Sequence, residues 1–251
     1  MRRLADRFTE WASSCSSLSQ LRSVLKKASA QLGFDYFALL HHSSLERSGG
    51  GLVRIDNYPD GWVDELLGEG LAADDPVHFA SRRSNAGFAW AELETIVALS
   101  ARQRSILSRS TRFGLGDGFT VPVNVPGEPS GSCSFAVRKG RSLPKGRLMC
   151  AELVGAHAFR AARRIHDLPR RRARPHLSRR ELECVRLAAA GKTDFEIALI
   201  LGIAHETARQ YLKRARAAYD VVTRSQLVVH ALFDERVGFD ELLAWPPEAA
   251  R

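Results

Sequence analysis

Gly191-Lys192-Thr193-Asp194-Phe195-Glu196-Ile197-Ala198-Leu199-Ile200-Leu201-Gly202-Ile203-Ala204-His205-Glu206-Thr207-Ala208-Arg209-Gln210-Tyr211-Leu212-Lys213-Arg214-Ala215 is the stretch that decides how this chain is read. It holds two short helical runs around a glycine turn, and the second run is rich in cations. A helix-turn-helix needs that arrangement if its second helix enters the major groove. Upstream, Ser178 is a good N-cap, and Glu181 three residues on completes a capping box. Leu182, Val185, Ala188 and Ala189 form the apolar stripe of the helix that follows. In the basic helix, Ala208, Leu212, Ala215 and Tyr219 fall at spacings of four, three and four, which gives one buried face. Arg209, Gln210, Lys213 and Arg214 fall elsewhere and are therefore the candidate DNA contacts. Arg and Lys suit guanine, and Gln suits adenine. A further helix, 222–233, closes a four-helix module with an apolar surface suited to a second copy.

The chain has 251 residues and a formal net charge of +9, long enough for two domains and suited to a polyanionic partner. Nine arginines and one acid, Asp167, lie between Phe159 and Arg180, beside the helix-turn-helix. Cys15, Cys133, Cys150 and Cys184 have neither metal nor disulfide spacing and read as buried residues of a reducing compartment. No apolar run reaches membrane-span length and no secretory signal is visible, so the expected location is the cytoplasm, without membrane contact.

Helical periodicity covers 4–32, with Gly33 as its C-cap, and a buried strand follows over 34–41. A glycine turn at 49–51 leads to a second strand, 52–57, that alternates Val53 and Ile55 against Arg54 and Asp56. Pro59 opens one short helix, Asp75-Pro76 opens another, and 94–108 reads as a longer one. Two strands, 118–123 and 132–137, flank a Gly/Pro loop, and 145–166 is a long helix with Leu148, Ala151, Gly155, Ala158, Ala162 and Ile165 on one face. The predicted fold is an α+β N-terminal ligand-binding domain (antiparallel sheet, helices on both sides) followed by an all-α four-helix helix-turn-helix domain. The expected boundaries are 1–166, a basic linker at 167–176 with room for phosphate contacts, 177–234, and an apolar, acidic tail at 235–251.

Residues 177–232 resemble the C-terminal domain of the LuxR/FixJ class of transcription factors. The resemblance rests on Leu177-Ser178-x-Arg180-Glu181, Gly191-Lys192-Thr193, Glu196-Ile197-Ala198, Leu201-Gly202-Ile203 and Thr207. It implies a four-helix domain that reads promoter DNA as a homodimer, and it leaves room for RNA polymerase as a further partner. One departure matters: the usual Ser or Thr ahead of the recognition helix is Ala204, so the cap is weakened unless His205 or a water replaces it. Val185, often Leu in the family, is harmless to packing.

Upstream, Gly33-Phe34-Asp35-Tyr36-Phe37, Asn57-Tyr58-Pro59-x-x-Trp62, Asp75-Pro76-Val77, Trp90 and Gly118-Phe119-Thr120-Val121-Pro122 occur in order. Residues 1–166 thus resemble the autoinducer-binding domain of LuxR-type quorum-sensing receptors, whose ligands are N-acyl homoserine lactones; no other cofactor is expected. Such a ligand needs an acceptor for its amide N–H, donors for its carbonyls and an apolar slot for its tail. Asp75 is the candidate acceptor, Trp62 the donor to the lactone carbonyl and Tyr58 the donor to the acyl carbonyl. Ser134 is a fourth polar candidate, with Ala136 sharing its face and competing for the family's Ser/Thr position. Ala38, Leu40, Leu66, Trp90 and Phe119 are the expected remaining lining. Asp75 reads equally well as an N-cap, and the tryptophans as core aromatics. Leu66 stands where the family usually has tyrosine, which predicts an altered acyl preference: a bulkier, longer or aryl tail, or a non-lactone ligand. The expected mechanism is linkage, in which ligand closes the N-terminal core, stabilises the dimer and positions two recognition helices.

Two rival readings remain. An enzyme acting on the same ligand lacks a Gly-x-Ser-x-Gly nucleophile motif, and the adjacent His41-His42 on a strand would point to opposite faces, so no catalysis is expected. A regulator of the same fold that responds to another small molecule, or to none, is the alternative.

Overall fold

A computed structural model describes residues 2–42, 53–125, 130–166, 175–238 and 242. The chain divides into two compact units, Met1–Arg170 and Arg171–Arg251. The glycine turn at 49–51, most of the loop after Val125, the arginine run up to 174 and most of the tail, Trp245 included, lie outside the described residues.

The first unit opens with α1 (Arg2–Ser14) and α2 (Leu18–Leu32). Ser17 caps α2 by accepting from Gln20 N, and Gly33, at φ 88°, ends it in the left-handed region that glycine adopts without strain. β1 (Tyr36–His41) and β2 (Arg54–Asp56) precede α3 (Asp60–Gly68), a 3-10 turn at Leu71–Asp74 and α4 (Pro76–Ser81). Then come β3 (Phe88–Ala89), α5 (Leu93–Ile96), α6 (Ala101–Ser110), β4 (Leu115–Val123), β5 (Gly131–Arg138) and α7 (Leu148–Ile165). The predicted helix at 94–108 is two helices: Val97 turns extended, and Ser100 starts α6 with its own capping box with Gln103.

The strands form one antiparallel sheet in the order β2-β1-β5-β4-β3. Strand alternation divides its residues between two faces. Phe37, Leu39, Ile55, Phe119, Val121, Cys133, Phe135 and Val137 pack with Phe8, Leu21, Leu25 and Phe159 of α1, α2 and α7 in the main core. On α7, a Cβ at Gly155 would lie 3.1 Å from Val121 Cβ and 3.2 Å from Cys133 Cβ, so helix and sheet approach closely here. The opposite face carries α3, α4 and α6 over two smaller clusters, one around Trp62, Leu66, Ile106 and Leu115, the other around Val77, Phe88 and Leu93. Helices therefore cover both sides of the sheet, as predicted. His41 and His42 do point to opposite faces. His41 meets the Phe159 ring edge-on at 5.0 Å, and His42 stacks on His78 of α4 at 4.3 Å.

The second unit consists of α8 (Arg179–Ala189), α9 (Asp194–Leu201), α10 (His205–Ala218) and α11 (Arg224–Phe233) around Val185, Ile197, Ala208, Leu212, Ala215 and Leu227. Capping boxes of Ser178 with Glu181, Thr193 with Glu196 and Thr223 with Gln226 start α8, α9 and α11. Gly202, at φ 63°, makes the turn into α10. The start of the tail belongs to this unit: Val237 is buried in its core, and Arg236 donates to Pro175 O at 3.1 Å. No helix among the described residues is long and apolar enough to cross a membrane.

Candidate ligand cavity and nucleic-acid interface

The second face of the sheet is the floor of a cavity, and its registers divide that floor into rows. Ala38 pairs with Asp56 and Ser134, and Ser134 with Thr120. Two residues along, Leu40 pairs with Arg54 and Ser132. Two residues the other way, Ala136 pairs with Tyr36 and Gly118. The Trp90 ring covers Gly118 so closely that a Cβ there would fall 2.4 Å from ring carbon Cε2. Trp62 and Leu66 of α3, Asp75 and His78 around α4, and Ile106 and Leu107 of α6 form the roof.

The cavity brings together Ala38, Leu40, Tyr58, Trp62, Leu66, Asp75, Trp90 and Ser134 of the predicted set. Phe119 is a correction. It lies on the opposite face, in the core under α7, because strand alternation turns it away and presents its neighbour Thr120 instead. Ala136 shares the face of Ser134 but lies one row away, beyond the lining.

The polar groups form a connected set. The Trp90 indole N–H donates to Thr120 Oγ1 at 2.9 Å, and Thr120 Oγ1 is 2.8 Å from Ser134 Oγ. Since Thr120 accepts from the indole, its own proton is free for Ser134. Burial raises the Tyr58 phenol well above its ordinary pKa; the nearby Asp75 carboxylate adds to this, and the Ser134 hydroxyl offsets it slightly by hydrogen bonding. Tyr58 is thus a neutral hydroxyl, able to donate. Asp75 is the N-cap of α4, where Oδ1 accepts from Val77 N at 2.8 Å, while Oδ2 lies 3.7 Å from His78 Nε2. The Trp62 side chain is buried, and its indole N–H has no hydrogen-bond partner among the described residues.

Several residues of the site had escaped the sequence reading: Ser132, His78, Ile106, Arg54 and Asp56 in the lining, and Thr120, which bonds to Ser134 and Trp90. Arg54 and Asp56 alternate with buried Val53 and Ile55, which reads as a solvent face; the helices of the roof turn that face into a cavity wall. Thr120 was within reach, since it adjoins Phe119 in a quoted motif and only the strand parity was misassigned.

On the second unit, Arg209, Gln210, Lys213 and Arg214 are exposed on α10, Thr207 is half-buried, and Ala208, Leu212 and Ala215 face inward. Glu206 accepts from Arg209 Nη1 and from Gln210 Nε2, both at 2.9 Å. The Gln210 hydrogen bond, then the Arg209 charge, hold its carboxyl below the usual range. Ala204 provides no side-chain cap, and His205 does not replace it.

Comparison with known proteins follows this division. Residues 17–162 match the model of the autoinducer binding domain, and residues 175–231 match that of bacterial regulatory proteins, luxR family. The transcriptional activator protein AhyR of Aeromonas hydrophila is 27% identical over 228 residues, 88% of this chain and 87% of that protein. The quorum sensing-dependent transcriptional regulator RpaR of Rhodopseudomonas palustris is 27% identical over 205 residues, 81% of this chain and 82% of that protein. A relative from Sinorhizobium fredii, 28% identical over 194 residues, is matched over only 59% of its own length. The crystal structure of Escherichia coli SdiA superposes with a TM-score of 0.61 at 23% identity, covering 94% of this chain and 96% of that one, which is a likeness of fold.

Proposed function

The chain belongs to the LuxR family of bacterial transcription regulators, with an autoinducer-binding domain ahead of a helix-turn-helix DNA-binding region, and from that premise we propose that it binds an N-acyl homoserine lactone and, as a homodimer, a paired promoter site. One observation carries the ligand reading. Three separate elements bring a carboxylate (Asp75), an unpartnered indole N–H (Trp62) and a neutral phenol (Tyr58) to one apolar cavity. A lactone amide needs that set: Asp75 Oδ2 accepts the amide N–H, Trp62 donates to the lactone carbonyl, and Tyr58, backed by Ser134 and Thr120, donates to the acyl carbonyl. Trp90, Leu66, Ala38 and Leu40 enclose the rest.

DNA reading falls to Thr207, Arg209, Gln210, Lys213 and Arg214, exposed or half-exposed on α10. Phosphate contact supplies affinity, and base edges in the major groove supply specificity. Ligand acts by linkage: it binds the closed first unit better than the open one, stabilises it, and so favours the dimer that presents two recognition helices. The domain limits we assign are 1–166 and 177–234. No residue in this reading does chemistry on the ligand.

Calorimetric titration of the full chain with a panel of N-acyl homoserine lactones tests the reading. Asp75→Asn keeps the cap, since Asn caps as well as Asp, but presents an amide in place of the carboxylate. Its expected effect is a loss of affinity of about tenfold or more, the worth of one charge-assisted hydrogen bond. Unchanged affinity would exclude Asp75 from the site, and failure of every lactone to bind would leave the regulator responding to a different small molecule.

A further inference from the structure

Beyond the row that holds Ser134 and Ala38, the cavity floor does not become purely apolar. The next row runs Arg54–Leu40–Ser132 across β2, β1 and β5, and Arg54 and Ser132 both line the cavity. Two residues along a strand is roughly 7 Å, the distance that separates the carbonyl of a medium-length acyl chain from its far end. A hydrocarbon tail gains nothing from a hydroxyl and a guanidinium at that point, and covering them without a partner is unfavourable.

Both groups have capacity left for a partner. Arg54 Nε donates to Asp56 Oδ2 at 3.1 Å, while its two terminal amino groups have no partner among the described residues. Ser132 is buried, with Oγ 3.0 Å from His42 Nε2, and His42 in turn stacks on His78, which also lines the cavity. A serine hydroxyl has one proton to donate and two lone pairs, so one bond to histidine leaves room for another. Charge narrows the choice of partner. Asp56 already matches the Arg54 guanidinium, and Asp75 lies on the same cavity, so a carboxylate at the end of the chain would meet two like charges. A neutral oxygen would not.

We infer that Arg54 and Ser132 are specificity-determining residues that select an acyl chain carrying a neutral hydrogen-bonding oxygen, a hydroxyl or phenol, near its far end. The inference rests on the lactone reading for the placement of the head group. It also fits Leu66, which replaces a bulkier tyrosine in the roof and widens the slot for a substituted tail.

The test is titration of the full-length protein with an unsubstituted octanoyl homoserine lactone and with the same molecule hydroxylated next to its terminal carbon. The hydroxylated ligand should bind about tenfold more tightly, as one to two added hydrogen bonds imply. In the double variant Arg54→Met, Ser132→Ala that ratio should fall to within about twofold, and Ser132→Thr, which keeps the hydroxyl, should restore part of it when Arg54 is intact. Equal affinities in the unaltered protein, or a preference that survives the double substitution, would overturn the inference and leave the lactone reading standing. Binding of neither molecule, nor of any other lactone, would overturn both.

Discussion

Thr120 accepts from the Trp90 indole at 2.9 Å and meets Ser134 at 2.8 Å, so a single hydroxyl connects the ring over Gly118 to the strand beneath Tyr58. Thr120→Val keeps the shape and removes both bonds, leaving the indole N–H without its partner. The expected cost is about 1–3 kcal/mol in a urea melt. His42 gives a prediction in pH. Burial, followed by the proximity of His78, Arg82 and His41, pushes its pKa from 6.5 down to about 2. The unfolded chain therefore takes up a proton at mildly acidic pH that the folded one refuses. This contribution to stability is complete above pH 6.5 and is lost as pH falls toward the folded value, at up to about 1.4 kcal/mol per pH unit. Urea melts between pH 7.5 and 5 should show that slope, and His42→Gln should flatten it.

At the scale of the element, the recognition helix stands apart from its neighbours. The helices on either side of it start with a hydroxyl cap, whereas α10 starts at Ala204 with no side-chain cap. Ala204→Ser should stabilise the second unit by about 1 kcal/mol, within the usual 0.5–2 for such a cap, read as a later transition in a chemical melt. No gain would mean that α10 is already capped by solvent. Glu206 engages Arg209 Nη1 and Gln210 Nε2 in the same helix turn, which leaves Arg209 Nε and Nη2 and Gln210 Oε1 outside these two bonds. At α7, Gly155→Ala places a methyl 3.0–3.2 Å from Val121 and Cys133; overpacking of about 1–3 kcal/mol opposes a helix-propensity gain of up to about 1 kcal/mol, so a small net loss in thermal unfolding is the expected outcome.

For the molecule as a whole, the +9 charge predicts DNA binding that weakens steeply with salt. Lys213→Ala should weaken binding to every sequence and lower the log–log salt slope by about one, if it meets a phosphate. Arg209→Ala should cost about 1–3 kcal/mol on the preferred site and less on random DNA, as loss of a base contact implies. Gel-shift titrations at several salt concentrations separate the two.

The helix-turn-helix and its caps were legible because they are local. Ser178 with Glu181, the turn at Gly202 and the 208–212–215 stripe are set by neighbours within one or two turns, and the chain alone determined them. The alternation of Val53 and Ile55 with Arg54 and Asp56 was legible too, but not its meaning. A strand's period places residues on two faces without saying what covers each. Phe119 and Thr120 were separated only by the β4–β5 register, and Arg54 became a cavity residue only because α3, α4 and α6 cover that face of the sheet. Residues that meet the solvent in a lone strand meet a ligand cavity here, because which face is covered depends on elements tens of residues away.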